Sequence, residues 1–443
     1  MPTTPEEWLP ILAQRMDERM PRVLKLRRYS RGDADLPEMG RNTRKSWEAF
    51  QKKARKNVAG LACSSLAGRI VPNGLRVGAS SSGELLDALK VVWRNNRLAI
   101  VIPGAIWDML SVGIGHLVVG IRDGEPIITS EGPERVYVEP DPVQPWRARA
   151  SLQAWRDTIL KQDFALVTVP GLRQRFERST VTQGGSIRGK VSGDWTPVGE
   201  PEVFDGPPPV FVLENFGGVA EFEPHLDAID AVNLGKLQRL VVTAYQAFKA
   251  RAFKNLPETD DDGNAIDWAS RLNFAPGAMV DLPEGIDIWE SGAVEIAGLL
   301  EGEKTDLRDL AAVMQVPLDV FIPSGQNQSA TGAANAHKGE IQKAKDRLVR
   351  AALPVDGALL LAARVLGFDV QETIQSTWEP PEHIALSEKA AAASQARAAG
   401  KSQRWIDEHI WGMSPDEIEA EQTERAREQL EVIALTGAPG GDA

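Results

Sequence analysis

The segment from Glu223-Pro224 to about Phe253 constrains the fold most. Leu226, Ile229, Leu237, Val241, Ala244 and Phe248 recur at helical spacing, interrupted only by Gly235. Proline in the first turn suits a helix start. About thirty residues at 1.5 Å per residue make a rod of roughly 45 Å. A second helical stretch runs from about Val294 to Gln315, carries Gly298 and Gly302, and stops at Pro317. Between the two lies a turn-rich insert with short strand-like pieces at 273–274, 279–282 and 286–289. Two such helices carry apolar stripes that one subunit need not cover alone, which predicts a closed cyclic oligomer.

Charge sharpens the picture. The chain has 50 Lys+Arg against 62 Asp+Glu, a net charge of −12, which argues against binding nucleic acid through bulk charge. The imbalance is local. Residues 257–309 hold 14 acids and 3 basic residues, more than a solvated face needs, and so form a repelling or docking surface. Residues 338–350 run the other way, with five basic residues and two acids.

The rest of the 443 residues leaves room for two to four domains. Residues 5–28 place Trp8, Leu12, Met16, Met20 and Leu24 one turn apart, predicting an amphipathic helix that Pro21 should kink or split. Residues 44–70 predict one further helix, ended by a turn at Pro72-Asn73-Gly74. Residues 83–112 predict two helical pieces around Pro103-Gly104. The period then becomes two. His116–Arg122 and Glu125–Thr129 flank Asp123-Gly124, the dipeptide of a type I′ hairpin turn. More strands follow at 135–139, 150–157, 165–170, 172–179 and 210–213. Past a polar stretch at 317–332, Ala330–Leu366 predicts a long helix kinked at Pro354. The tail is helical, with a capping box at Ser414-Pro415-Asp416-Glu417. The expected class is α+β, predominantly helical.

Signals for chemistry are missing. Gly325 and Gly332 are too far apart for a phosphate loop, and Ala333-Ala334 stands where Lys-Ser/Thr is needed. His116, His225, His337, His383 and His409 are scattered without ligand spacing. Asp260-Asp261-Asp262-Gly263 would need a glutamate where Ala269 stands to be a calcium loop. The single cysteine, Cys63, excludes an internal disulfide and points to a reducing compartment. Residues 1–8 lack the marks of a signal peptide, and neither 109–121 nor 320–337 is an apolar run long enough to span a bilayer. The expectation is no catalysis, no cofactor and no metal. Two competing readings are a metal-dependent nuclease or phosphotransferase using the 257–309 carboxylates, and a cytoplasmic scaffold outside any virion. Asn233, polar on the apolar stripe of the first long helix, is either a satisfied core amide or a contact between neighbouring subunits.

Six stretches in order resemble the portal protein of tailed double-stranded DNA bacteriophages. Tyr29-Ser30-Arg31-Gly32-Asp33 is similar to a family motif after the first helix. Residues 57–75, led by Asn57, resemble its Asn-led helix. Val136-Tyr137-Val138-Glu139-Pro140-Asp141-Pro142 resembles a strand ending in Asp-Pro, and Pro209–Asn215 a strand ending in Asn. Asp230 and Asn233 fall at an Asp-x-x-Asn pattern on the following helix. Val316-Pro317 and then Asn327-Gln328-Ser329-Ala330 resemble its Val-Pro, loop and helix segment.

The resemblance implies a portal fold with wing, stem, clip and crown, in a ring of twelve copies at one capsid vertex. The wing would hold 1–221, the stem helices 222–253 and 294–316, the clip 254–293 and the crown 379–443. Residues 317–332 would be a tunnel loop facing DNA, with Ser324, Gln326, Asn327, Gln328 and Ser329 at the bore. Residues 333–378 would be a long kinked wing helix and its connection. Lys338, Lys343, Lys345, Arg347 and Arg350 form a candidate basic ring or subunit ion-pair belt. Asp260, Asp261 and Asp262 would dock partners at the clip. Those partners are the terminase large subunit, a head-completion or adaptor protein, and the major capsid and scaffolding proteins. Double-stranded DNA would pass without sequence specificity, and no membrane is involved. The protein would assemble in the host cytoplasm and reside in the virion.

Overall fold

The computed structural model describes residues 2–36, 45–78, 83–180, 187, 189–247, 251–259, 263, 265–268, 285, 287–290, 292, 295–323, 337–370, 373–382 and 386–436. It is a mixed structure of helices and several sheets. One apolar core runs from Trp8 to Ile374.

Helix α1, Pro5–Ser30, is a single element despite Pro10 and Pro21. Thr4 and Glu7 form a capping box at its start. Leu12, Met16, Met20, Val23, Leu26 and Tyr29 are all buried along one face. Burying each is worth roughly 1.5–3 kcal/mol, and together they outweigh the ~3 kcal/mol of one internal proline. The expected split at Pro21 therefore does not occur.

The expected helix over 44–70 is two, α2 (Lys45–Ala54) and α3 (Val58–Ala67). Asn57 makes the break, because its side-chain oxygen accepts the Gly60 N–H at 3.0 Å and caps α3. Pro72–Val77, expected to begin as a turn, is strand β1 and pairs with β12 (Ile374–Trp378) from the far end of the chain. Helices α4 (Gly83–Asn95) and α5 (Leu98–Val112) part at Asn96-Arg97 rather than at Pro103. The Asn96 amide donates to the Val92 and Pro126 carbonyls and accepts from Ile128 N–H, tying this break to a neighbouring strand. Arg97 takes a left-handed φ of 52°.

Strands β2 (Ile114–Arg122) and β3 (Glu125–Glu131) form the expected hairpin, with Asp123 and Gly124 both at positive φ. Strand β9 (Val210–Glu214) pairs on the other side of β2. β4 (Val136–Pro140), β5 (Ala148–Asp157), β6 (Gln162–Val169), β7 (Leu172–Ser179) and β8 (Thr196–Val203) make a five-stranded antiparallel meander covered by α1. Its outer strand β8 is fully exposed but carries Pro197, Pro201, Glu200 and Glu202, which blunt an open edge.

Helix α6 (Leu226–Ala247) follows, then β10 (Arg251–Lys254) paired with β11 (Asp287–Glu290), then α7 (Ile296–Met314) packed back on α6. The first long helix thus stops short of the expected Phe253, which lies in β10, while the second matches its expected span within two residues; a two-stranded ribbon lies between them. After the short α8 (Leu318–Phe321), helix α9 (Lys338–Val365) lies on the β3-β2-β9 sheet. Gly357 permits this: a Cβ there would sit 2.7 Å from the Phe211 ring. The tail comprises α10 (Leu386–Ala398), α11 (Gln403–Ile406), a π-helical stretch at Asp407–Trp411 and α12 (Pro415–Thr436).

Candidate functional site

Residues far apart in sequence meet where α6 and α7 join the body. The Tyr29 hydroxyl, at the end of α1, donates to Asp230 on α6 at 2.8 and 2.9 Å. Burial pushes the Tyr29 phenol up, and the neighbouring carboxylate adds to that. Burial also pushes Asp230 up against the lowering effect of the tyrosine bond. One turn on, the side-chain oxygen of Asn233 accepts the Lys56 N–H at 2.9 Å. The Lys56 ammonium then reaches α7, 2.5 Å from Glu303, which also accepts from Arg239 of α6 at 2.8 Å. Burial acts to raise Glu303, but Lys56 and Arg239 overcome it and hold the carboxyl below its usual range. Lys56 thus touches both long helices, one through its backbone and the other through its side chain.

Close backbone approach makes this root tight. A Cβ on Gly60 would lie 2.4 Å from the Ser30 carbonyl oxygen, and one on Gly32, at φ 77°, would press on Asn57. Of the stretches singled out in the sequence, Tyr29–Asp33, the Asn57 helix and Asp230/Asn233 converge on this one place.

A second ionic knot lies on the α9 side. Glu221, buried just before α6, takes Lys343 at 2.6 Å, Arg347 at 2.7 Å and the Asn215 amide at 3.0 Å. Burial works to raise Glu221, yet Lys343 and Arg347 keep it below the ordinary value. Lys343 also donates to the Met314 carbonyl at 3.0 Å, capping the end of α7. Nearby, the buried Glu340 accepts from Arg69 at 2.6 Å and from Ser65. Arg69 also meets His337 Nδ1 at 3.0 Å and the Pro381 carbonyl at 3.0 Å. α3, α7, α9 and the start of the tail are thereby cross-linked by charge.

The anticipated basic ring looks different in three dimensions. Lys343 and Arg347 are spent on Glu221, Arg347 and Arg350 both bond Asp346, and Lys345 pairs with Glu382 at 2.5 Å. Four of the five are thus bound to carboxylates of their own chain, because α9 carries Asp346 between them and packs on Glu221. Lys338 is exposed. Asn233 is fully buried in this chain; its Oδ1 is taken by the Lys56 N–H, while its Nδ2 has no hydrogen-bond partner among the described residues. Ser324, Gln326, Asn327, Gln328 and Ser329, and Asp260, Asp261 and Asp262, lie outside the described residues.

Sequence reading missed Lys56, Glu221, Glu303 and Glu340. The one signal for Glu221 was a charge set between two apolar residues, Ala220 and Phe222, just before a helix. The other three look like ordinary helical surface until their neighbours are known.

No family model and no curated protein matches this sequence. Among solved structures, a chain in the neck of a native GTA particle computed with C12 symmetry is 15% identical, with 88% of this chain and 98% of that chain covered and a TM-score of 0.45. A chain in the virion of a native gene transfer agent particle is also 15% identical, with 89% and 99% covered and a TM-score of 0.45. A third, in the neck of an empty GTA particle computed with C6 symmetry, is 13% identical, with 88% and 100% covered and a TM-score of 0.47.

Proposed function

We propose that the chain is a portal protein, a ring-forming conduit at one vertex of a phage-like capsid through which double-stranded DNA enters and leaves. The observation that carries this reading is the Tyr29–Asp230 contact: motifs similar to the portal family, separated by about half the chain, meet at the root of the α6–ribbon–α7 hairpin. In the family's terms α6 and α7 are the stem, β10 and β11 belong to the clip, and the body around α1, the two larger sheets and α9 is the wing. A conduit under load needs its stem held rigidly, and the knots at Glu303 and Glu221 supply that through buried, multiply bonded charge. A channel must also let DNA slide, so a surplus of free lysine and arginine would work against it. The neutralised 338–350 segment fits that need.

In this reading the chain acts without catalysis. Its acidic clip, within residues 254–293, meets a packaging motor first and head-completion proteins later, and capsid and scaffolding proteins surround the wing. The test is direct imaging and mass. Twelve copies of a 48.3 kDa chain make a ring of about 580 kDa. Closed rings by negative stain at that mass support the proposal. A protein that stays monomeric or dimeric at micromolar concentration, and forms no ring in particles, refutes it.

A further inference from the structure

We propose that a groove beside α4 and α5 receives the acidic face of α12 from a second copy of this chain. The inference rests on the ring reading above and names one contact that would hold the ring at the tail level.

The groove has a volume of about 350 Å³ and is lined by Leu75, Lys90, Trp93, Arg94, Arg97 and Ile100, with Pro415 in its wall. Its floor is apolar, and Ile100 is 71% exposed. Arg94 and Arg97 are exposed and have no carboxylate partner among the described residues. Two open guanidiniums around a tryptophan and an isoleucine suit an acidic helix with a partly apolar face.

Helix α12 has the complementary character. Glu417, Glu421, Glu424, Glu428 and Glu431 recur every three or four residues and share one face. Like charges four apart, as at Glu417/Glu421 and Glu424/Glu428, destabilise a helix on its own. Within the helix Glu421 pairs with Arg425 at 2.8 Å and Glu431 with Arg427 at 3.5 Å, which leaves Glu424 and Glu428 as the uncompensated pair. Ile418 is the one buried apolar side chain among its described residues, and Leu430 is 67% exposed. Arg425 ties the helix to Asp407 at 3.3 Å, and Glu424 and Glu428 have no basic partner among the described residues.

Geometry says which copy fills the groove. In its own chain α12 starts at the rim: Pro415 lines the groove, and Glu419 pairs with Lys90 at 3.0 Å. Along a straight helix Glu424 and Glu428 then lie roughly 14 and 20 Å beyond Pro415, and neither pairs with Arg94 or Arg97 of its own chain among the described residues. A neighbouring copy has no such tether. The surface and its complement lie on different parts of one chain, so their pairing is head-to-tail, the kind of contact that closes rings.

The test uses the full chain. Arg94→Glu/Arg97→Glu and Glu424→Arg/Glu428→Arg should each raise the concentration at which rings dissociate at least about tenfold, and the four changes together should restore it. Copies carrying only Arg97→Cys, mixed with copies carrying only Glu424→Cys and oxidised, should give a disulfide-linked dimer. That second experiment decides the matter if a charge-reversed chain fails to fold. Rings that resist dissociation equally in Arg94→Glu/Arg97→Glu, or the absence of cross-linked dimer in the mixture, overturn this contact and leave the ring reading standing. A parent chain that never exceeds a monomer overturns both.

Discussion

The Tyr29 hydroxyl donates to both carboxylate oxygens of Asp230 across 201 residues of sequence. It fastens the end of the first helix to the first long helix of the α6–α7 pair.

Removing that bond should loosen the α6 root without unfolding the rest of the chain. Tyr29→Phe should cost about 1.5–3 kcal/mol, the range for a hydrogen bond to a charged group. A double-mutant cycle with Asp230→Asn, followed by urea unfolding, measures the coupling. Additive effects would mean that the two side chains act independently.

Glu221 and Glu303 make stability depend on pH. Both carboxyls titrate below their ordinary value of 4.5 in the folded chain. A depressed folded value gives stability that is present above the unfolded value and lost as pH falls through the folded one. Unfolding free energy should therefore drop as pH falls below about 4.5, and Glu221→Gln should flatten that slope. Lys343→Met should cost about 3–5 kcal/mol near neutral pH by leaving a buried carboxylate short of a partner. An unchanged acid slope in Glu221→Gln would remove this residue from the account.

His116 adds a second window. It is fully buried, and burial together with the charge of Arg19 pushes it down to about 3. A histidine kept neutral in the fold but free to ionise when unfolded contributes stability above an unfolded value of 6.5, lost progressively toward pH 3. His116→Leu should remove the part of the pH dependence between 6.5 and 4.5, read from chemical denaturation at several pH values.

The seat of α9 on its sheet depends on Gly357. Gly357→Ala should destabilise the chain, because the new methyl meets the Phe211 ring at 2.7 Å. Phe211→Ala in the same chain should relieve part of that clash, with a coupling energy of about 0.5–3 kcal/mol. Calorimetry of the two single variants and the double variant checks it.

Two functional predictions follow from the portal reading. Deleting residues 324–329 should leave rings intact but impair genome packaging or retention. Particles with genomes of normal length and full infectivity would sink the tunnel-loop assignment. Changing Asp260, Asp261 and Asp262 to Asn should slow association with a basic motor surface and weaken its salt dependence. On-rates measured at two salt concentrations distinguish docking from mere solubility.

Much of the local structure was determined by sequence, because it depends on short-range rules. The Asp123-Gly124 hairpin, the Ser414 capping box and the apolar stripe of α1 each follow from backbone preference or periodicity over a few residues. Other features needed the folded chain. Pro21 does not break α1, because long-range burial outweighs the lost hydrogen bond. Asn96 ends α4 where Pro103 does not break α5, because its amide finds Pro126 and Ile128 across the fold; the Asn57 cap on Gly60 is instead a local rule, three residues long. Tyr29, Asp230 and Asn233 stood out in sequence only through resemblance. That they meet at one root, with Lys56 bridging both helices, was decided by packing. The same holds for part of the 338–350 charges: five basic residues in thirteen look like an open ring in sequence, but Lys343 and Arg347 are spent on Glu221, a carboxylate more than a hundred residues away.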